Sequence, residues 1–374
     1  MRGDEGERFS CFAKIMKSSC LPVVMRLLAM ASFGVAILFI STAALSQVFL
    51  PGTEPVELEE QLNIPLNNGI QEEGREEADL LLRLGGQAQR QGSFEKAIAY
   101  WQQALDLYQR LGDFEGQGLA YDYLGLTYAN LGRYPQAEDA LRRRLGVARY
   151  LKDFQGQIFA LNNLGTLLLQ AGNLEAAQVS FAEALDIART VKNPEGEGLS
   201  LSNLGLVAAQ AGNYLEAVKR YEASLAFRRR LGDPLGEANT RNNLGDAYQA
   251  LNQHQDALTS YGLALHVAED SLDIPNQFRA LRGLIRSYSV VGPKLVALKY
   301  LKQHLALAQK EQNPREELIS LRLYAELYKA GGDLSNARIF YERAILLANS
   351  LGQTQEEAFL RNDLAQILYD RGSR

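Results

Sequence analysis

One regularity constrains this chain more than any other: a period of forty residues. From Leu161 to Gly196 the sequence reads LNNLGTLLLQAGNLEAAQVSFAEALDIARTVKNPEG, and a shift of forty in either direction returns the same pattern. Leu-Gly recurs at Leu84-Gly85, Leu124-Gly125, Leu164-Gly165, Leu204-Gly205 and Leu244-Gly245, and Leu284-Ile285, Tyr324-Ala325 and Leu364-Ala365 fall on the same grid. Twelve residues after the second member of each of the first seven pairs stands an alanine: Ala97, Ala137, Ala177, Ala217, Ala257, Ala297 and Ala337. A fixed period of this length marks stacked supersecondary units that bury their apolar faces against one another. The 374 residues therefore measure repeat number, not a count of globular domains.

Each unit reads as two amphipathic helices. In the second unit the first helix, A, is predicted from about Phe114 to Leu131, with Tyr121, Leu124, Gly125 and Tyr128 at helical spacing. The second helix, B, sets Tyr134, Ala137, Leu141, Leu145 and Ala148 on one face. Gly92, Gly132, Gly172, Gly212, Gly292 and Gly332, with Asn252, are placed to end helix A, because a left-handed cap suits glycine and then asparagine. Asp113, Asp153, Asn193, Asp233, Asp273 and Asn313 are placed to cap the next helix A, and Pro194, Pro234 and Pro314 follow them where a missing N–H costs nothing. Gly or Ala in helix A and Ala in helix B remove bulk where the helices cross. The expected fold is all-α: an α-solenoid of seven helix-turn-helix repeats plus a C-terminal capping helix. That helix carries Leu360, Leu364 and Leu368, with Arg361, Asp363 and Asp370 on other faces as a solubilising end.

The pattern Leu164, Gly165, Leu168, Gly172, Ala177, Phe181, Ala184 resembles the tetratricopeptide repeat. The resemblance covers about Glu76 to the C-terminus. Its forty-residue unit is similar to the repeats of Pins-type spindle-orientation scaffolds and of kinesin light chains. It implies a right-handed superhelix, helices A lining a concave groove, and protein or peptide binding in that groove. The sixth unit departs from the pattern: Ile285 stands for glycine and Pro293 enters the turn, so its packing is expected to deviate.

The formal net charge is -5. Residues 1–46 hold five Lys/Arg against three acids, which leaves the rest at -7. A mildly acidic body argues against general nucleic-acid binding. Both cysteines, Cys11 and Cys20, precede the repeats, so the body has neither a disulfide framework nor a cysteine metal site. Residues 1–26 are polar, and residues 27–50 are apolar enough for a signal peptide or a single transmembrane anchor. Residues 51–75 read as an acidic, proline-containing linker, followed by the repeat domain at 76–374. Basic residues before the apolar run and acids after it place the body on the non-cytoplasmic side, anchored if the run stays and secreted or periplasmic if it is cleaved.

Function would reside in a second stripe on each helix A, beside the buried one. Early units supply Leu119, Leu126, Phe159, Asn162, Thr166, Leu169, Leu199 and Leu206. The stripe turns polar at Asn242 and Asp246, then basic at Arg279, Arg282, Arg286 and Arg322. This gradient predicts a peptide ligand with an apolar portion toward the early repeats and an acidic portion or carboxylate toward the late ones, since arginine's fork suits two carboxylate oxygens. Asn162 and Asn242 are candidates to hold a bound backbone through their amides. The competing reading makes the leucines packing residues, the asparagines inter-repeat braces, and the arginines a solvated face bridged to acids of neighbouring helices. Arg142-Arg143-Arg144 and Arg228-Arg229-Arg230 read as solvated outer faces, and Glu316-Glu317 as a solubilising pair. His254, His266 and His304 are isolated, and no nucleophile, phosphate-loop or zinc motif is present. No enzyme activity, cofactor or metal is expected. The leading function is a membrane-tethered or exported interaction scaffold; the alternatives are a peptide-sensing regulatory protein and an accessory or assembly factor of a membrane or envelope enzyme complex.

Overall fold

The computed structural model describes residues 73–372. The expectations for 1–26 and 27–50, and for nearly all of the linker, lie outside the described residues. Among the described residues no helix is long and apolar enough to cross a membrane.

All regular structure there is α-helical. The A helices are α1 (Glu73–Arg90), α3 (Phe114–Asn130), α5 (Phe154–Gln170), α7 (Pro194–Gln210), α9 (Pro234–Ala250), α11 (Ile274–Val291), α13 (Pro314–Ala330) and α15 (Thr354–Gly372). The B helices are α2 (Phe94–Leu111), α4 (Tyr134–Tyr150), α6 (Leu174–Thr190), α8 (Tyr214–Leu231), α10 (His254–Asp270), α12 (Lys294–Lys310) and α14 (Leu334–Ser350). Each helix packs on its chain neighbours, and α5, α7, α9 and α11 also touch one another in series. That second set of contacts makes the A helices the inner wall of a solenoid. Seven helix pairs and a terminal A helix match the pattern read from the sequence.

The packing rests on small residues opposite large ones. A Cβ on Gly165 would lie 2.6 Å from the Phe181 ring, and one on Gly245 2.6 Å from the Tyr261 ring. Helices α5 and α9 can therefore lie close to their own B helices while Phe181 and Tyr261 are sealed from water. All six predicted Asx caps form: each side chain accepts from the backbone N–H three residues on, at 2.8 Å for Asp153–Gly156 and 3.2 Å for Asn313–Glu316.

The left-handed cap holds at Gly172 (φ 80°) and Asn252 (φ 58°) but not at Gly292, whose φ of -114° and ψ of 176° are extended. Pro293 explains the exception, because the residue before a proline is driven out of helical space. The backbone of the sixth unit departs in this turn, and its side-chain departures are accommodated by packing. Ile285 is buried among Ala297, Leu301, Leu323 and Leu327, so the larger side chain of α11 is matched by an aliphatic Leu301 where most units carry an aromatic ring. The turns between units hold left-handed residues that sequence reasoning missed: Lys152, Lys192, Leu272 and Gln312, at φ from 49° to 56°. The terminal cap is only partly polar. Leu360 and Ile367 are buried, but Phe359, Leu368 and Tyr369 of α15 are exposed, so the solubilising end is less complete than expected.

Candidate ligand groove

The second stripe lies along the inner wall, and its side chains have three different fates. At the early end Leu119, Leu126, Phe159 and Leu206 are half-buried and reach the surface, Leu119 resting on the core that includes Tyr121, Ala140 and Val147. Leu169 and Leu199 do not reach it. They are 5% and 4% exposed, which corrects their assignment to the groove: both are packing residues.

In the middle the asparagines are spent inside the fold. Asn162 is fully buried; its Nδ2 donates to the Ile158 carbonyl at 2.8 Å and to Ser200 Oγ at 3.0 Å, while its Oδ1 accepts from Asn203 at 2.8 Å. Thr166 donates back to the Asn162 carbonyl at 2.8 Å and is buried as well. Asn242, also fully buried, donates to Asn276 Oδ1 at 3.0 Å. The two asparagines brace one A helix against the next, while Thr166 bonds within its own helix. The expectation that Asn162, Thr166 and Asn242 meet a ligand is corrected, because a buried amide that already bonds its neighbours has no face to offer.

At the late end the arginines are bridged rather than bare. Arg279 donates to Asp246 Oδ2 at 2.5 Å and to Asn243 Oδ1 at 2.6 Å. Asp246 is exposed and also accepts from Tyr261 at 2.6 Å. Arg282 reaches Glu316 at 2.6 Å, and Arg322 reaches Glu356 at 2.8 Å and Glu326 at 3.5 Å. Arg286 is exposed and, among the described residues, has no ion pair within 4.0 Å. The predicted block of unbalanced positive charge is thus a ladder of pairs with one open rung.

Glu316 and Glu356 are the functional residues that sequence reasoning passed over. They occupy the third position of their A helices, a column that reads Gly116, Gly156, Gly196, Gly236, Asn276, Glu316, Glu356. The switch from glycine to polar side chains is the signal. Each polar member reaches the residue 34 positions earlier: Asn276 to Asn242, Glu316 to Arg282, Glu356 to Arg322. Reading Glu316-Glu317 as a merely solubilising pair is therefore corrected for Glu316.

The column Ala104, Arg144, Ala184, Ser224, Ala264, His304, Ala344 on the B helices shows the same compensation. Each polar intruder finds a partner: Arg144 donates to Asp122 at 2.7 Å, Ser224 to the Gly198 carbonyl at 2.6 Å, and His304 Nδ1 lies 2.8 Å from Ser320 Oγ. Arg144 and Arg228 are thus not solvated outer residues, since Arg228 is 6% exposed and paired with Asp233. Burial raises the Asp122 carboxyl above its usual range despite Arg144, and raises Glu326 despite Arg322. Burial also opposes ionisation of Glu316, but His304 and Arg282 outweigh it and hold that carboxyl below the usual range. Among the described residues no group of three His, Cys, Asp or Glu side chains is placed to hold a metal ion.

Models of the tetratricopeptide repeat match residues 76–149 and 196–270, and a further one matches 160–194. This chain is a tetratricopeptide repeat protein. Its solved structural relatives include a signal-transduction ATPase with numerous domains and a tetratricopeptide repeat sensor from Pyrococcus horikoshii, at TM-score 0.58 and 19% identity over 76% of this chain and 44% of that one. The present chain thus spans less than half of that protein. RapI in its apo form aligns at TM-score 0.57 and 14% identity, covering 74% of this chain and 99% of its own. A Rap protein complexed with competence and sporulation factor aligns at 0.53 and 14%, covering 95% and 89%. At these identities the likeness is one of fold. No curated protein matches the sequence.

Proposed function

We propose that this protein is a non-enzymatic interaction scaffold that holds an extended partner segment along its inner wall. The observation that carries the reading is the difference between the two ends of that wall. Leu119, Leu126, Phe159 and Leu206 offer part-exposed apolar side chains at one end, and Arg286 offers an exposed guanidinium without an ion pair among the described residues at the other. An apolar stretch followed by a carboxylate fits that sequence of surfaces. Binding would rest on apolar burial and a charge-assisted hydrogen bond, with no bond chemistry. The apolar residues 27–50 add tethering to a membrane, or export, to this proposal.

A second reading, a sensor of free peptides, draws on one comparison: a Rap protein of this fold is known complexed with competence and sporulation factor. The two readings share the groove and differ in whether the ligand is part of a protein. Photo-crosslinkers placed at Phe159 and at the exposed Ser289, one turn from Arg286, in cells test both. Capture of one protein from both positions, abolished by Arg286→Glu, supports the scaffold, and capture of a short peptide supports the sensor. Capture only from a crosslinker on the outer wall, at Val179, would sink the groove proposal.

A further inference from the structure

His304 is fully buried on α12, between α11 and α13, where four other B helices carry alanine. Its hydrogen-bond partners fix where its proton sits. Ser320 Oγ is 2.9 Å from the Glu316 carbonyl oxygen, which can only accept, so the single Ser320 hydrogen is committed there. Ser320 Oγ must then accept from His304 Nδ1, 2.8 Å away, which places the ring hydrogen on Nδ1. In the neutral ring Nε2 is left with a bare lone pair. That nitrogen is buried, has no hydrogen-bond partner among the described residues, and lies 3.4 Å from Glu316 Oε2. Two acceptors thus face each other beside a fully buried ring, and a proton between them, resting on the more basic Nε2, satisfies both.

The same carboxylate is the counter-ion of Arg282, whose Nη1 lies 2.6 Å from Oε2 and 2.8 Å from Oε1. We propose that Arg282, Glu316 and His304 form a proton-linked exchange site, in which a proton taken from water onto His304 Nε2 makes His304 the counter-ion of Glu316 and frees Arg282 for a carboxylate in the groove. The inference deepens the groove reading and rests on it for the identity of the incoming group. Of the charged groups on the helices around His304, Arg282 of α11 and Glu316 of α13 face it. Their effects oppose each other: Glu316 favours the charged ring and Arg282 disfavours it, while burial dominates and holds His304 below its ordinary value. Acid, or a ligand carboxylate that draws Arg282 away, shifts the balance toward the charged ring. Binding of an anion at Arg282 is therefore coupled to uptake of up to one proton, and its affinity rises by at most about tenfold per unit fall in pH.

Imidazole and arginine side-chain NMR of the ligand-free chain tests the exchange without any ligand. His304 Nε2 is expected to take up a proton as pH falls, with the Arg282 Nε resonance moving at the same midpoint. His304→Ala, which restores the residue of four other B helices, should flatten the Arg282 response. An Arg282 signal that ignores His304, or a His304 ring still neutral at the onset of acid unfolding, would overturn the exchange. If the alanine variant does not fold, the wild-type titration alone decides. In a separate arm, calorimetry of a tetraglutamate peptide in two buffers of different ionisation enthalpy should report proton uptake in wild type and none in His304→Ala. Equal uptake in both overturns the link; no binding at all counts against an acidic groove ligand and leaves the NMR result to decide the exchange.

Discussion

The junctions between repeats come in two kinds, early and late, although all obey the same forty-residue grid. At the early junctions Gly116, Gly156, Gly196 and Gly236 let the start of an A helix press against the preceding units. A Cβ on Gly116 would lie within 2.6 Å of the Tyr108 ring, and one on Gly196 would lie 2.8 Å from Ile158 Cγ2. At the late junctions Asn276, Glu316 and Glu356 occupy that column and bond side chains of the unit before. In this column the early glycines admit close approach, to apolar side chains at Gly116 and Gly196 and to the Arg144–Asp153 and Arg228–Asp233 pairs at Gly156 and Gly236, whereas the late residues bring polar groups of their own, buried at Asn276 and partly exposed at Glu316 and Glu356. The difference teaches that one backbone geometry accommodates either no side chain at this position or a polar one. Of the late residues, Glu316 and Glu356 are partly exposed and paired with arginines of the groove.

The comparison breaks most severely if a late residue is moved into an early junction. Gly116→Glu would force a side chain into the fully buried Tyr108 ring, and overpacking with a carboxylate that has no partner should cost about 3 kcal/mol or more. Urea unfolding should show this, and a loss below about 1 kcal/mol would mean the early junction is looser than its geometry. The converse change is milder. Glu316→Ala removes the counter-ion of Arg282 and the carboxylate beside His304, but Arg282 keeps partial access to water, so a loss of about 1–3 kcal/mol is expected.

Protonation separates His304 and Glu316, at a late junction, from Glu195, at an early one, by sign. His304 and Glu316 both have folded-state values below their unfolded ones, so their contribution is present at neutral pH. It is lost as pH falls, first through the unfolded histidine range near 6.5 and then below about 4.5. Glu195, at an early junction, behaves oppositely. Burial, with Asp233 adding to it and Arg228 opposing, pushes its carboxyl up to about 7, and Arg228 is already committed to Asp233. A raised carboxyl weakens the fold as pH climbs from about 4.5 through 7, because the unfolded chain releases that proton more readily. Glu195→Gln should therefore stabilise the protein at pH 8 and change little at pH 4.5, the smallest of the three effects in thermal melts. A gain equal at both pH values would remove the charge argument.

Much of this molecule was legible in the sequence because repetition multiplies weak signals. Asp153 alone is a common residue before a helix, but six Asx residues on one grid specify six caps, and all six form. Gly165 and Ala177 on that grid announce helix crossings without any knowledge of their partners. The groove was less legible. Leu119 and Leu169 belong to one stripe by spacing, yet one reaches the surface and the other is sealed, because burial depends on how closely the neighbouring A helices approach. His304 looked isolated, since Glu316 and Ser320 lie one helix away in the chain.

The sequence by itself determined the period, the helix boundaries, the caps and the solenoid, since these follow from interactions within one unit and its copy forty residues on. Only the tertiary structure decided which polar side chains of the groove are spent. Stacking sets Glu316 against Arg282 and His304, and Asn162 against Ser200 and Asn203. Partners drawn from different helices can recur at a fixed spacing, 34 residues for Asn242–Asn276, Arg282–Glu316 and Arg322–Glu356, but spacing alone does not say which of them approach to bonding distance. A hydrogen bond works only within a few tenths of an ångström of its ideal length, a distance that helix packing fixes and spacing along the chain does not.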